Sequence, residues 1–418
     1  MKTNNVVSAI DEILAWCVYI AVFALPFSKS AIEICAVAGL IMLLAKKIIL
    51  KNFNLPRTAA GIPILFIIIT SALSLINSQY MSLSLRALFS KMLKFALLYF
   101  LVVEAIDSRT KLMNLLKMAA ISGVIIFVDA FTQYFLTHRD FLHSYPTFKF
   151  VNDYHFEKLD PVKSWLDYFI GYPTASFPYP NDLAAWLLII TPPALFLSLL
   201  DLKDKASRRL ISLFSFIGIF IFVLTKARSA WLGFIIATGS LVFLLKKHVV
   251  ILLAAIFILI ALSFARAPGD IFSLTSTQDR SVMWSNSYAI FIRHPVIGNG
   301  LNTFFNNYMK TRQDEYRDRK GSYAHNCYLQ MAADTGLVGL FSFLWFAAAI
   351  LWSSISFIRR CRDLFYKALM IGLETGIAAF LIHSFFDTNL YSLNLAALFW
   401  MAAGLTASVI RIKDADIT

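Results

Sequence analysis

Apolar runs close to twenty residues long recur along this chain, and no other feature restricts its fold so strongly. A helix rising about 1.5 Å per residue needs about twenty apolar residues to cross a hydrocarbon layer of about 30 Å. The runs lack the period-two alternation of lipid-facing strands, so a membrane β-barrel is excluded. Composition agrees: of 418 residues, 59% are hydrophobic and only 15% charged, with a mean hydropathy of +0.68, beyond what a soluble globular chain carries. The expected fold is an all-α polytopic membrane protein. Its spans fall near 12–27, 31–49, 61–77, 85–106, 112–137, 183–200, 208–224, 229–245, 248–265, 333–358, 367–386 and 392–410, which makes about twelve transmembrane helices.

Lysine and arginine in short loops are retained on the cytoplasmic side. One alternate set of loops holds Lys46, Lys47, Lys51, Arg57, Arg109, Lys111, Lys203, Lys205, Arg208, Arg209, Lys246, Lys247, Arg359, Arg360, Arg362, Lys367, Arg411 and Lys413. The opposite short loops hold little beyond Lys29, Arg86, Lys226 and Arg228. Both termini are therefore expected in the cytoplasm and the long connections 138–182 and 266–332 on the exported face. The chain divides accordingly into residues 1–265, the first nine helices with loop 138–182; residues 266–332, a partly helical exported loop between helices 9 and 10; and residues 333–418, the last three helices. The net charge of +13 is spread over many small loops, so it points to anionic membrane lipids and not to nucleic acid. The apolar N-terminal segment lacks a small-residue cleavage site and reads as a retained helix. Cys17, Cys35, Cys327 and Cys361 are scattered without metal-site or disulfide spacing, and no metal or cofactor is expected.

The larger exported loop contains "TSTQDRSVMWSNSYAIFIRHPVIGNGLNTFFNNYMK". Trp284, Ala289 and Ile292 recur at helical spacing after possible caps at Thr275, Ser276 or Thr277, predicting a helix over about 278–293 that Pro295 stops. "GNG" at 298–300 supplies a tight turn before a second helix near 302–310. The mixed charges of "TRQDEYRDRKGS" read as a solvated segment. In "GSYAHNCYLQ", Ser322 is positioned as an N-cap with His325 in the following first turn. Helix dipoles there disfavour an imidazolium, so His325 is biased toward the neutral form that accepts a proton. Its plain alternative is an interfacial histidine that bonds a loop.

Several cations lie at or near the exported side. Arg228 closes the short turn "VLTKARSAW", either as a snorkelling anchor or as part of a site. Arg280 opens the loop helix, paired to Asp279 or another acid unless a ligand takes it. Arg86, Lys91 and Lys94 lie at the exported end of the fourth helix, and the two lysines share a face. Cations at that depth are costly unless paired or functional, and Asp129 is the expected partner of Lys94.

"RSVMWSNSYAIFIRHPVIGNGLNTF" followed by "HNCYLQMAADTGLVGL" resembles the O-antigen ligase and polymerase superfamily, whose region has an arginine before a helix, then "HPxxGxG", then "HNxxLQxxxxxGxxG". "SFPYPNDLAAWL" at 176–187 is similar to the family's "PN" element, without the arginine that many relatives carry upstream. The match covers about 280–340, and beyond it only hydropathy agrees.

The resemblance implies a bacterial inner-membrane glycosyltransferase, inverting and metal-independent, with its active site facing the periplasm. Its donor would be a glycan on undecaprenyl diphosphate, and its acceptor lipid A-core or another glycan. His325 would be the base, Arg228 and Arg280 would hold the diphosphate, and Arg86, Lys91 and Lys94 are further candidates for substrate contact. The favoured reading is an O-antigen ligase. An O-antigen polymerase or a protein O-oligosaccharyltransferase would share the donor side. A flippase or transporter of lipid-linked sugars is disfavoured, because the long loops show no two-fold arrangement of halves.

Overall fold

The computed structural model describes residues 2–137, 139–141, 172–201, 204–245, 274–311 and 323–415. In chain order its helices are α1 (Lys2–Ala24), α2 (Lys29–Leu50), α3 (Gly61–Leu73), α4 (Met81–Ala87), α5 (Lys94–Ala105), α6 (Arg109–Thr132), α7 (Pro180–Ser198), α8 (Lys205–Leu224), α9 (Arg228–Leu245), α10 (Leu274–Phe291), α11 (Phe304–Thr311), α12 (Cys327–Arg360), α13 (Leu364–His383) and α14 (Leu393–Ala415). A π-helical turn, Leu88–Leu93, joins α4 to α5. By length and composition, seven helices among the described residues can cross a membrane: Asn5–Ala24, Arg109–Thr137, Pro180–Ser198, Lys205–Leu224, Cys327–Arg360, Leu364–His383 and Leu393–Ala415. The expected spans near 31–49, 61–77, 85–106 and 229–245 are helical too. The one over 248–265, and most of loop 138–182, lie outside the described residues.

Two kinds of surface hold the bundle. Its outside is apolar, with Trp352 72% and Phe216 69% exposed, as lipid-facing side chains are. Its inside relies on close approach. A Cβ on Gly376 would crowd the Leu188 carbonyl, and one on Gly372 would overlap Pro193, so "GLETG" lets α13 lie directly on α7. α13 also packs on α9.

Polar contacts sort the connections onto two faces. On one, Lys46 bridges Asp11 at 2.7 Å and Glu104 at 3.0 Å, Arg360 reaches Asp414 at 3.3 Å, and Arg411 bonds the Val103 carbonyl. These are the lysine- and arginine-rich connections. On the other, Gln133 Nε2 donates to Thr174 Oγ1 at 2.9 Å, Asn77 Nδ2 donates to the Gly298 carbonyl at 3.2 Å, and the Cys327 amide donates to the Ser384 carbonyl at 2.9 Å. The alternation read from charge is thus also a grouping in space.

The second face contains the least regular part of the fold. α12 is broken at Gly336, which sits at φ 70° and ψ −174°, outside helical geometry. The break strands carbonyls before it and amides after it, and in lipid such groups must find protein partners. Residues 295–300 supply them. The Asn299 and Gly300 amides donate to the Ala333 and Asp334 carbonyls at 3.1 and 3.0 Å, while the Leu337 and Val338 amides donate to the Pro295 and Val296 carbonyls at 2.8 and 3.2 Å. Asn299 Nδ2 adds bonds to the carbonyls of Ile290 and Ala333, both at 2.9 Å, which tie α10 to the same place. Glycine is required twice over: Gly298 has φ 78°, and a Cβ there would collide with the Asp334 carbonyl, as one on Gly336 would with that of Val296.

Three expectations need correction. α10 starts at Leu274, so Thr275, Ser276 and Thr277 lie inside the helix and do not cap it. The N-cap of α12 is Asn326, whose side chain accepts from the Tyr328 and Leu329 amides at 3.0 and 3.1 Å; His325 therefore precedes the cap, and Ser322 lies outside the described residues. Lys94 pairs with Glu33 of α2 at 2.8 Å, whereas Asp129 accepts from the Phe141 amide at 2.9 Å; the packing of α5 against α2 brings that acid within reach.

Gly336→Ala and Gly298→Ala should each cost about 1–3 kcal/mol for the left-handed backbone and about 1–3 kcal/mol more for overlap. Gly239→Ala, with nothing within 4 Å of the added carbon, should be neutral or slightly stabilising. Thermal denaturation in detergent checks all three.

Candidate functional site

The stitched break fixes the start of α12, and that start presents His325. Its backbone is left-handed, with φ 48°, in the residue just before the Asn326 cap. The side chain is partly buried, and burial is the main cause that lowers its pKa from 6.5; the Arg280 guanidinium pushes the same way, while the Asp387 carboxylate opposes. His325 is therefore neutral at pH 7. Among the described residues nothing hydrogen-bonds its ring.

Arg280 comes from α10, whose seat is set by Asn299 and by Trp284, stacked edge-on against Phe385 with centroids 5.7 Å apart. Trp284 lies one turn beyond Arg280, and its indole N–H has no acceptor among the described residues. Arg280 is near enough to act electrostatically on His325 and also on His383.

His383 ends α13 and is fully buried. Its Nδ1 shares a hydrogen bond of 2.9 Å with Ser229 Oγ, and its Nε2 is 3.9 Å from Asp387 Oδ2. Asp387 is held on three sides. Asn181 Nδ2 donates to its Oδ2 at 2.7 Å, the Thr388 amide donates to its Oδ1 at 2.7 Å, and the Cys327 thiol donates to its carbonyl at 3.2 Å. Asn181 is the second residue of α7, where Pro180 opens the helix without needing an amide. The "PN" pair thus starts a helix and aims a side chain at Asp387.

Arg228 begins α9 beside Ser229, so it stands next to the His383 end of this cluster, on an exposed position. The turn before it carries Lys226 over the Tyr172 ring at 4.8 Å. The other sequence candidates are placed differently. Lys91 donates to Asn302 Oδ1 at 2.6 Å and so clamps the loop that fills the helix break. Lys94 is taken by Glu33, and Arg86 is exposed on α4. Neither lysine joins His325: their partners are Asn302 and Glu33.

Sequence reasoning named His325, Arg280 and Arg228 but not Ser229, His383 and Asp387, which the structure brings together. "HSFFDTNLY" at 383–391 contained the signal, since His383 and Asp387 are one helical turn apart at the lip of an apolar run, as His325 is.

Residues 213–344 match a family model described as O-Antigen ligase. The chain carries an O-antigen ligase-like domain. That match includes Arg228, Arg280, His325 and both sides of the stitched break. Asn181, His383 and Asp387 complete the cluster from outside it. No curated protein matches the chain.

The electrostatics make a prediction with two signs. Neutral imidazole reacts with diethylpyrocarbonate and imidazolium does not, so modification of His325, followed by mass spectrometry, should fall through a midpoint below pH 6.5. Arg280→Gln should move that midpoint up and Asp387→Asn should move it down, each by removing a nearby charge.

Proposed function

We propose that the protein transfers a glycan from undecaprenyl diphosphate to an acceptor hydroxyl at the exported face of the bacterial inner membrane, as an O-antigen ligase with lipid A-core as acceptor. The observation that supports this most is the grouping of one neutral histidine, one guanidinium and one carboxylate at a single end of the bundle. A base needs the first, a departing diphosphate the second, and a transient imidazolium the third.

In this reading the acceptor oxygen bonds to the anomeric carbon as its proton passes to His325, and the carbon–oxygen bond to the diphosphate breaks with its electron pair leaving on phosphate. One displacement inverts the anomeric centre. Arg280, with Arg228 at the other edge, meets the charge that grows on the leaving group, where fixed cations contribute most to rate. A guanidinium presents a planar fork that matches phosphate oxygens. Asp387 is a positioning residue: Asn181, Thr388 and Cys327 hold it, and its charge favours the protonated His325 that forms in the step. Polymerase or protein-glycosylating activity would use the same donor side with a different acceptor, so the acceptor supplied in an assay separates them.

Reconstituted in liposomes with a polyprenyl-diphosphate-linked glycan and lipid A-core, the wild-type protein should form the ligated product. His325→Ala and His325→Gln should both abolish transfer, since glutamine holds a hydrogen bond but takes up no proton near neutral pH. Arg280→Ala should reduce the rate by about 10²–10³-fold, and Arg280→Lys should recover part of it. An active His325→Gln protein would remove the base from the mechanism. Full activity of both Arg280→Ala and Arg228→Ala would remove the diphosphate assignment.

A further inference from the structure

Away from the candidate site, α6, α7, α8 and α14 enclose an apolar crevice of about 1190 Å³. α6 lines it from Arg109 to Phe131, a length of about 33 Å at 1.5 Å per residue. Nearly all of the lining is hydrocarbon. Its hydrophilic side chains are Arg109 and Ser207, at the starts of α6 and α8, and Lys117, about two turns further along α6; all three lie in the half of the crevice toward those starts. That end belongs to the basic face, opposite His325. Arg109 and Lys117 are exposed there, and Arg109 rests against the Phe365 ring at 5.2 Å with its guanidinium still on the rim.

The crevice is continuous, but two rings narrow it part-way. Phe214 of α8 reaches in to meet the Phe127 ring of α6 at a tilt, centroids 4.7 Å apart, and presses on Gly123, where a Cβ would be 2.6 Å from its ring. From Arg109 to Gly123 is fourteen residues of helix, about 21 Å. One leaflet contributes about 15 Å of hydrocarbon, half of the ~30 Å core, with its headgroup layer beyond. The basic half therefore has the length of a single-leaflet lipid, a cationic rim where the headgroup lies, and aromatic rings where its chains end.

We propose that this half-crevice is a binding site for an anionic glycerophospholipid of the leaflet on the basic face, with its phosphate at Arg109 and Lys117 and its acyl chains against α6 and α8. Two features select it over other occupants. A zwitterionic lipid would bring its own cation to a rim that already has two. A polyprenyl chain anchored at the His325 end would have to pass the Phe127–Phe214 contact to reach the cationic rim.

The test uses the full chain. Protein purified in mild detergent is placed in nanodiscs of phosphatidylcholine alone or with phosphatidylglycerol, and its thermal denaturation and its retained lipid, by mass spectrometry after detergent washing, are compared. Phosphatidylglycerol should raise the melting temperature by several degrees over phosphatidylcholine and be retained preferentially. The Arg109→Gln/Lys117→Gln double variant should retain at least tenfold less of it and lose the shift. Ala194→Phe, which fills the crevice from the α7 wall and leaves both cations of α6 in place, should also displace the lipid, and it decides the matter if the double variant does not fold. Equal retention of the two lipids, or retention unchanged in the variants, overturns the proposal. So does a retained polyprenyl phosphate, which would assign the crevice to the tail of a lipid-linked donor. The site is independent of the transfer chemistry, and its loss would leave the His325 reading in place.

Discussion

A helix interrupted inside a membrane must have its stranded amides and carbonyls answered, and in this protein the answer determines how α10, which carries Arg280, meets α12, whose start follows His325. Gly336 breaks α12, and residues 295–300 fill the gap with four backbone hydrogen bonds of 2.8–3.2 Å. The filling segment follows α10 and precedes α11, so the same bonds that repair α12 also fix Arg280 on one side and the clamp from Lys91 to Asn302 on the other. The motif "HPVIGNG" and the later "GLVG" are therefore two halves of one junction. Residues that hold the backbone together and candidate site residues are interleaved between Arg280 and Gly336: Gly298, Gly336 and Asn299 stitch, with Lys91 clamping from outside that stretch, while among the described residues His325 and Arg280 have no hydrogen-bond partner for their side chains.

The cluster itself draws on distant parts of the chain. α13 reaches α7 through Gly372 and Gly376, which brings Asp387 within 2.7 Å of Asn181, and α9 contributes Ser229 to His383. The Asp387 carboxylate and the Arg280 guanidinium pull in opposite directions on the protonation of the partly buried His325 ring, with burial deciding the balance toward the neutral form. A neutral ring is the form with a free acceptor nitrogen. The basic connections collect at the other end of the bundle, where they suit the headgroups of an anionic leaflet.

Much of this was legible in the sequence because hydropathy and lysine–arginine bias are set by the bilayer itself. Eleven of the expected spans fall on helices, and the alternation of charge corresponds to the two faces. Cap positions were less legible. Ser322 looked like the N-cap of α12 because its spacing to the apolar run was right, yet Asn326 accepts both free amides, and spacing alone cannot rank two capping residues four apart. The Lys94–Asp129 pairing failed because depth in the bilayer was taken as proximity; α2 supplied Glu33 instead. Asp387 and His383 were passed over because single polar residues at the end of a span are common, and only their convergence on Asn181 and Ser229 distinguishes them.

The account stands on the separation of the two faces, and the side reached by a membrane-impermeant thiol reagent measures it directly. Cys17, Cys35, Cys327 and Cys361 are all buried, which leaves a low background for single introduced cysteines. In intact cells with a permeabilised outer membrane, Tyr323→Cys, two residues before His325 and exposed, should be labelled, whereas Asp414→Cys, at the basic end of α14, should be labelled only after the inner membrane is opened. Labelling of both from one side would contradict the separation of the two faces, and labelling of Asp414→Cys alone from outside would remove the candidate site from the exported face.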